Sequence, residues 1–318
     1  MTSSEFEVKK INWLETAKTK KGIIAQLDPD GLYSAFIISR LTGLDVVGVS
    51  DLYNNIYGID ENDNLSDYVF VDVEMFLPDV LSVGNHNNIT NPKVYEEIKD
   101  RLVNCLNPNY QFGVTVRDYT GKYPFGTAHY LIELYSEQLN LPEMFESKEL
   151  LQLLYISDAV YNTVNKYPTN FKNWAEKLFK NDLFQEKFLK VLFKKFSFSK
   201  DTERLLNEAK KMFGGYEFFN KRLNSKSIDE ETRLSLVKEK LNHLSLPFQN
   251  LGMDFSKINM DKNIKLNSHK YGGYSGNELP EEIAKNPTSL YENVMTINYT
   301  GQNIISLTYI PKEPQNVQ

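Results

Sequence analysis

Cysteine is nearly absent: Cys105 is the only one in 318 residues. An internal disulfide and a cysteine-built zinc site are therefore excluded, and a reducing, cytoplasmic compartment is the expectation. No stretch approaches the ~18 consecutive apolar residues of a membrane span. The first residues, Met1-Thr-Ser-Ser-Glu-Phe-Glu7, lack the basic and apolar regions of a signal peptide. No membrane association is expected. Also missing are a Walker A loop, His-Glu-x-x-His, Cys-x-x-Cys, and Gly-x-Gly-x-x-Gly after an apolar run. There is no repeat with a period of roughly 20–50 residues. An overall basic charge is lacking too: 36 Lys+Arg stand against 42 Asp+Glu, a net −6, which argues against a general nucleic-acid coat.

Hydrophobic residues at 41% and charged residues at 25% give the balance of a chain with a real core. The length suits two domains better than one, at about 100–200 residues each. The charge is uneven. Residues 171–226 hold 14 Lys/Arg and 7 Asp/Glu, a local +7, so the remainder carries −6 − 7 = −13. Such a segment is either a set of helices with solvated lysines or a surface that meets phosphates.

Short apolar runs alternate with helical spacing in the first half. Residues 5–17 read as a helix, 23–27 as a strand, 32–41 as a helix, and 46–49, 68–72 and 80–83 as strands. Helices are expected over 126–139 and 149–164, and an all-helical pattern over 171–246 whose aromatic residues are mostly core. Residues 294–299 and 304–309 alternate around Thr300-Gly-Gln-Asn303, a hairpin signal. The expectation is an α/β protein: an N-terminal parallel sheet with flanking helices over 1–165, a helical connector over 166–246, and a small mixed C-terminal substrate domain over 247–318.

Acidic residues stand at the ends of the apolar strands. Asp28 and Asp30 follow the first, Asp72 follows Val69-Phe-Val71, and His86 follows Val80-Leu-Ser-Val83. Alone, Asp28-Pro-Asp-Gly31 is good turn chemistry, Asp72 a routine helix cap and His86 a surface residue. Together they would meet at the carboxyl ends of parallel strands, where open α/β sheets bind ligands. Converging carboxylates call for a cation, and oxygen ligands with one imidazole suit Mn²⁺ or Mg²⁺.

The order of these residues resembles the DHH phosphoesterase superfamily, which includes RecJ-like exonucleases, nano-RNases and family II pyrophosphatases. Asp28-x-Asp30-Gly31 matches its first motif, Asp72 its second and Asp158 its fourth, while a degenerate Asn85-His86-Asn87 stands in place of its Asp-His-His, without the leading Asp and the last His. Asn107-Pro108 and the small-residue helix around Ala128 fit as well. The likeness covers about residues 20–165. The resemblance implies metal-dependent phosphodiester hydrolysis, by a single-strand nuclease or a small-nucleotide phosphodiesterase. It also implies a metal set Asp30, Asp72, His86 and Asp158. The first motif's leading His is absent, with Ile24, Ala25 and Gln26 in that stretch, so the resemblance implies one ion, Mn²⁺ or Mg²⁺. Catalytic roles fall on Asp28, Asp72 and Asn87. The family's Gly-Gly-His has a counterpart in Gly272-Gly273-Tyr274, with Lys270 nearby, as candidate substrate-binding residues. The partner would be single-stranded nucleic acid or a short nucleotide. A catalytically degenerate relative that binds nucleotides or a protein without turnover is the alternative.

Overall fold

The computed structural model describes residues 3–51, 55–86, 89, 92–193, 207, 223, 228–272, 296–301 and 304–309. Helix α1 (Ser3–Ala17) precedes strand β1 (Gly22–Gln26), helix α2 (Pro29–Thr42) and strands β2 (Val46–Ser50), β3 (Asn55–Tyr57), β4 (Tyr68–Val71), β5 (Leu81–Val83) and β6 (Cys105–Leu106). Helices α3 (Thr127–Leu134), α4 (Lys148–Ile156), α5 (Val160–Lys166), α6 (Pro168–Leu178) and α7 (Glu230–Gln249) come next. Strands β7 (Asn263–Lys265), β8 (Asn267–Gly272), β9 (Thr296–Gly301) and β10 (Ile304–Tyr309) complete the order, with shorter helical turns between.

Seven strands form one mixed sheet in the order β6-β5-β4-β1-β2-β3-β7. The five from β6 to β2 run parallel, and β3 and β7 extend the edge antiparallel. The α/β class expected from the sequence is the one observed. Strand β1 sits at the centre because its residues are apolar on both faces. Ile23 and Ala25 point into the larger core and Ile24 into the smaller one, as Val69 and Val71 oppose Tyr68 and Phe70 on β4. The chain leaves β1 for β2 on one side and later returns to β4 on the other, so the strand order reverses at β1.

The larger core continues through the stretch expected to be a connector. Phe171 and Trp174 of α6, Phe184, Phe188, and Val237, Leu244 and Phe248 of α7 belong to the same cluster as α2 and the sheet. The ring of Phe248 lies 5.9 Å from that of Tyr33 on α2. Within 247–318, β7 joins the large sheet through Ile264 opposite Ile56, while β8, β10 and β9 form a separate antiparallel sheet. The hairpin expected near the C-terminus is the β9–β10 pair. The helix expected over 149–164 is interrupted: α4 ends at Ile156, and Asp158 and Ala159 take φ of 50° and 51° before α5 begins.

Candidate functional site

The turn from β1 into α2 is a helix start. Asp28 is the N-cap, with its side chain accepting from the Gly31 N–H at 2.8 Å, and Pro29 supplies a preset φ in the first turn. Gly31 is required here, because a Cβ would lie 2.2 Å from the Gln26 carbonyl oxygen. Asp30 turns away from its own helix. Its Oδ2 accepts from the Thr127 N–H at 2.6 Å and its Oδ1 from the Ala128 N–H at 3.1 Å. Those are orphan donors at the start of α3, so Asp30 caps a helix from a distant part of the chain. At Gly126 a Cβ would come within 2.4 Å of Asp30 Oδ1, so the approach needs glycine.

Asp72 follows β4. Its N–H donates to the Val83 carbonyl at 2.8 Å, and its Oδ1 accepts from Thr127 Oγ1 at 2.6 Å. Its φ is 61°. Among the described residues the non-glycine positions with positive φ are Asp72, Asp158 and Ala159. Left-handed backbone costs energy for residues with a Cβ, and here it gathers at two acids and a neighbour. The interruption after α4 places exposed Asp158 at the rim, where its Oδ2 accepts from Asn85 Nδ2.

The loop after β5 is organised by Glu74, an acid that is 1% exposed. Glu74 Oε1 accepts from the His86 N–H at 2.7 Å and from Asn107 Nδ2 at 3.0 Å, and Oε2 lies 3.0 Å from His86 Nδ1. Asn107 Nδ2 also donates to the His86 carbonyl, and Asn109 Nδ2 to the Asn85 carbonyl. Asn85 Nδ2 donates to the Phe125 carbonyl at 2.8 Å. This buried amide network fixes the loop against the start of α3.

The charges feel one another. Burial pushes the Asp30 carboxyl well above the ordinary range, and repulsion from Asp158 and Asp28 adds to it. Asp72 is raised for the same reason, by burial first and then by Asp30, Asp28 and Asp158. Burial also raises Asp28, against the opposing pull of the Gly31 N–H and Lys240. Lys240, on α7, is 4% exposed, and burial draws it down to about 8 despite Asp28 and Asp51. Burial would lower His86, but Glu74 outweighs it and holds the imidazole at about 9, a cation at neutral pH.

The residues expected to bind metal, Asp30, Asp72, His86 and Asp158, thus lie around the carboxyl ends of β1, β4 and β5, beside the point where the strand order reverses. As arranged they do not fit a divalent ion. Both oxygens of Asp30 cap α3, and among the described residues no three His, Cys, Asp or Glu side chains are grouped to hold a metal, although Glu74 on Nδ1 leaves His86 Nε2 open. Asn87, Gly273 and Tyr274 lie outside the described residues. Lys270 and Gly272 lie on β8, opposite Ser306 and Ile304 of β10. In the basic segment Lys187 is half-exposed, and Lys194 and Lys195 lie outside the described residues. His129 is structural: it packs against Phe188 at 4.7 Å, its Nδ1 accepts from the Gly126 N–H, and burial takes it down to about 3.

Sequence reasoning missed Glu74, Thr127 and Lys240. Glu74 carried a signal, since Val71-Asp-Val-Glu74 continues the strand alternation with a second acid. Lys240 did too, falling on the apolar stripe of Val237, Leu241 and Leu244. Among the described residues no helix is long and apolar enough to cross a membrane. Comparison with protein-family models, curated proteins and solved structures found no match for the chain.

Proposed function

We propose that the chain is a catalytically degenerate relative of the DHH phosphoesterases, which uses the crevice at the carboxyl ends of β1 and β4 to bind a nucleotide or short single strand without turnover. Support for the ligand class comes from the order of Asp28, Asp30, Asp72, His86 and Asp158 and from their meeting at the reversal of strand order. The observation that carries the loss of turnover is the use of the acids. Asp28, Asp30, Asp72 and Asp158 each accept a hydrogen bond from the chain's own amide, hydroxyl or backbone donors. Lys270, Gly272, Gly273 and Tyr274 are the proposed ligand contacts in the C-terminal segment.

A second reading has its own support. Three buried acids raised by burial and by mutual repulsion are the electrostatic setting that a divalent cation relieves. On that reading Asp30, Asp72, His86 and Asp158 would hold one Mn²⁺ or Mg²⁺, and the chain would hydrolyse phosphodiesters as a nuclease or small-nucleotide phosphodiesterase. Incubation with end-labelled single strands, short oligonucleotides and cyclic dinucleotides, with Mn²⁺ and with EDTA, separates the two. The first reading expects saturable binding in EDTA and no cleavage in either condition. Mn²⁺-dependent cleavage that is lost in Asp72→Asn would establish the second.

A further inference from the structure

Two side-chain amides lie against the acids of the crevice. Gln26 Nε2 donates to Asp28 Oδ2 from the end of β1, and Asn85 Nδ2 donates to Asp158 Oδ2 from the loop after β5. Each amide thus presents its NH₂ to the acid and turns its carbonyl elsewhere. The consequence is visible: Gln26 Oε1 and Asn85 Oδ1 are both buried without a hydrogen-bond partner, and Asn85 is only 4% exposed. Leaving a buried carbonyl unsatisfied is unfavourable. The orientation is therefore held by what the NH₂ groups gain: from Asp28 at Gln26, and from Asp158 together with the Phe125 carbonyl at 2.8 Å at Asn85. Lys240 on α7, only 4% exposed, feels the charges of Asp28 and Asp51.

We propose that Gln26, Asn85 and Lys240 take the place of a divalent cation in this crevice, supplying the positive potential that holds the acid cluster together, so that the site is stable without metal and takes none. This rests on the reading of the chain as a binder without turnover, and goes further by naming the groups that do the cation's electrostatic work. It also gives the two orphaned carbonyls a meaning. They are the oxygens that would turn inwards if an ion entered, and the ion would then have to displace both amide donors.

Gln26→Glu and Asn85→Asp keep each side chain's shape while replacing NH₂ with an oxygen, turning a donor into a charged acceptor. Thermal unfolding of the full chain and of each variant in EDTA, then in about 1 mM MnCl₂, tests the proposal. The unmodified chain should move by less than about 1 °C between the two conditions. Each variant should unfold roughly 5–10 °C lower in EDTA and recover at least half of that loss in Mn²⁺. Variants as stable as the unmodified chain in EDTA would overturn the proposal, and so would a loss that Mn²⁺ leaves unrelieved. If neither variant folds, Mn²⁺ titration of the unmodified chain by calorimetry decides: absence of heat supports the proposal, and stoichiometric binding overturns it. Cleavage assays on the same samples keep the two failures apart. Mn²⁺ binding without cleavage overturns only the amide proposal; binding with cleavage overturns the proposed function as well.

Discussion

Replacing Asp30 with Ala separates two roles open to the same carboxylate. In the structure Asp30 is 1% exposed, and its two oxygens satisfy the Thr127 and Ala128 N–H groups at the start of α3. Without it two buried donors lose their acceptors, at about 1–3 kcal/mol each. Against that, the substitution removes a charge that burial and the neighbouring acids disfavour, which returns part of the loss. A water entering the vacated space beside Gly126 would return a little more. The expected balance in EDTA at neutral pH is a net destabilisation of about 2–4 kcal/mol. Urea unfolding should show it as a lower midpoint with an unchanged slope. Asp30→Asn keeps one acceptor and should fall between Ala and the unmodified chain. A carboxylate kept only for a cation would behave in the opposite way. Its removal in EDTA would relieve repulsion from Asp28 and Asp158 and raise stability. A midpoint equal to or above that of the unmodified chain would therefore refute the capping argument.

Stability should depend on pH in a direction set by the site. Asp28, Asp30 and Asp72 are raised, so the folded chain keeps protons that the unfolded chain releases above about 3.8. Their contribution is full below that value and fades as pH rises through the folded values, so urea midpoints should be higher at pH 5 than at pH 7. His86 is raised from 6.5 to about 9, so the stability it brings is full below 6.5 and lost as pH rises through about 9. The gap in midpoint between the unmodified chain and His86→Gln should shrink across that window, and a constant gap would count against the Glu74–His86 pair. Ala159 holds φ of 51°, and Ala159→Gly should stabilise by about 1 kcal/mol, read as a rise in Tm. Trp13 Nε1 donates to the Ser82 and Asn104 carbonyls at 3.1 and 3.0 Å. Trp13→Phe should cost about 1–2 kcal/mol in urea unfolding, and a neutral result would mean that water replaces the indole.

Strands β1, β2, β4 and β5 could be read in the sequence because each is an apolar run closed by polar or turn residues. Strands β3, β6 and β7 are two or three residues long, and β3 and β7 mix polar with apolar positions. Their pairing comes from neighbours already in place, which no local pattern records. The interruption at 157–159 was hidden for a related reason. Neither glycine nor proline marks it, and residues 149–164 read as a continuous helix until tertiary contacts bring Asp158 to Asn85. Helix propensity is a weak prior, and a few contacts at a crevice override it.

The site was legible as a set of acids and illegible as a set of bonds. An aspartate that caps a helix and one that binds a metal are the same residue type at the same strand end, and what tells them apart is the partner. For Asp30 the partners are the backbone N–H groups of Thr127 and Ala128, far along the chain. For Asp28 and Asp158 they are amides at Gln26 and Asn85, residues with no charge to draw notice. Lys240 offered the better clue. A lysine on the buried stripe of a helix requires an acid near it, because an ammonium is not left unpaired in a core. An acid cluster implies a cation only after the chain's own donors have been counted, and here the buried lysine on α7, which sequence reasoning passed over, belongs in that count.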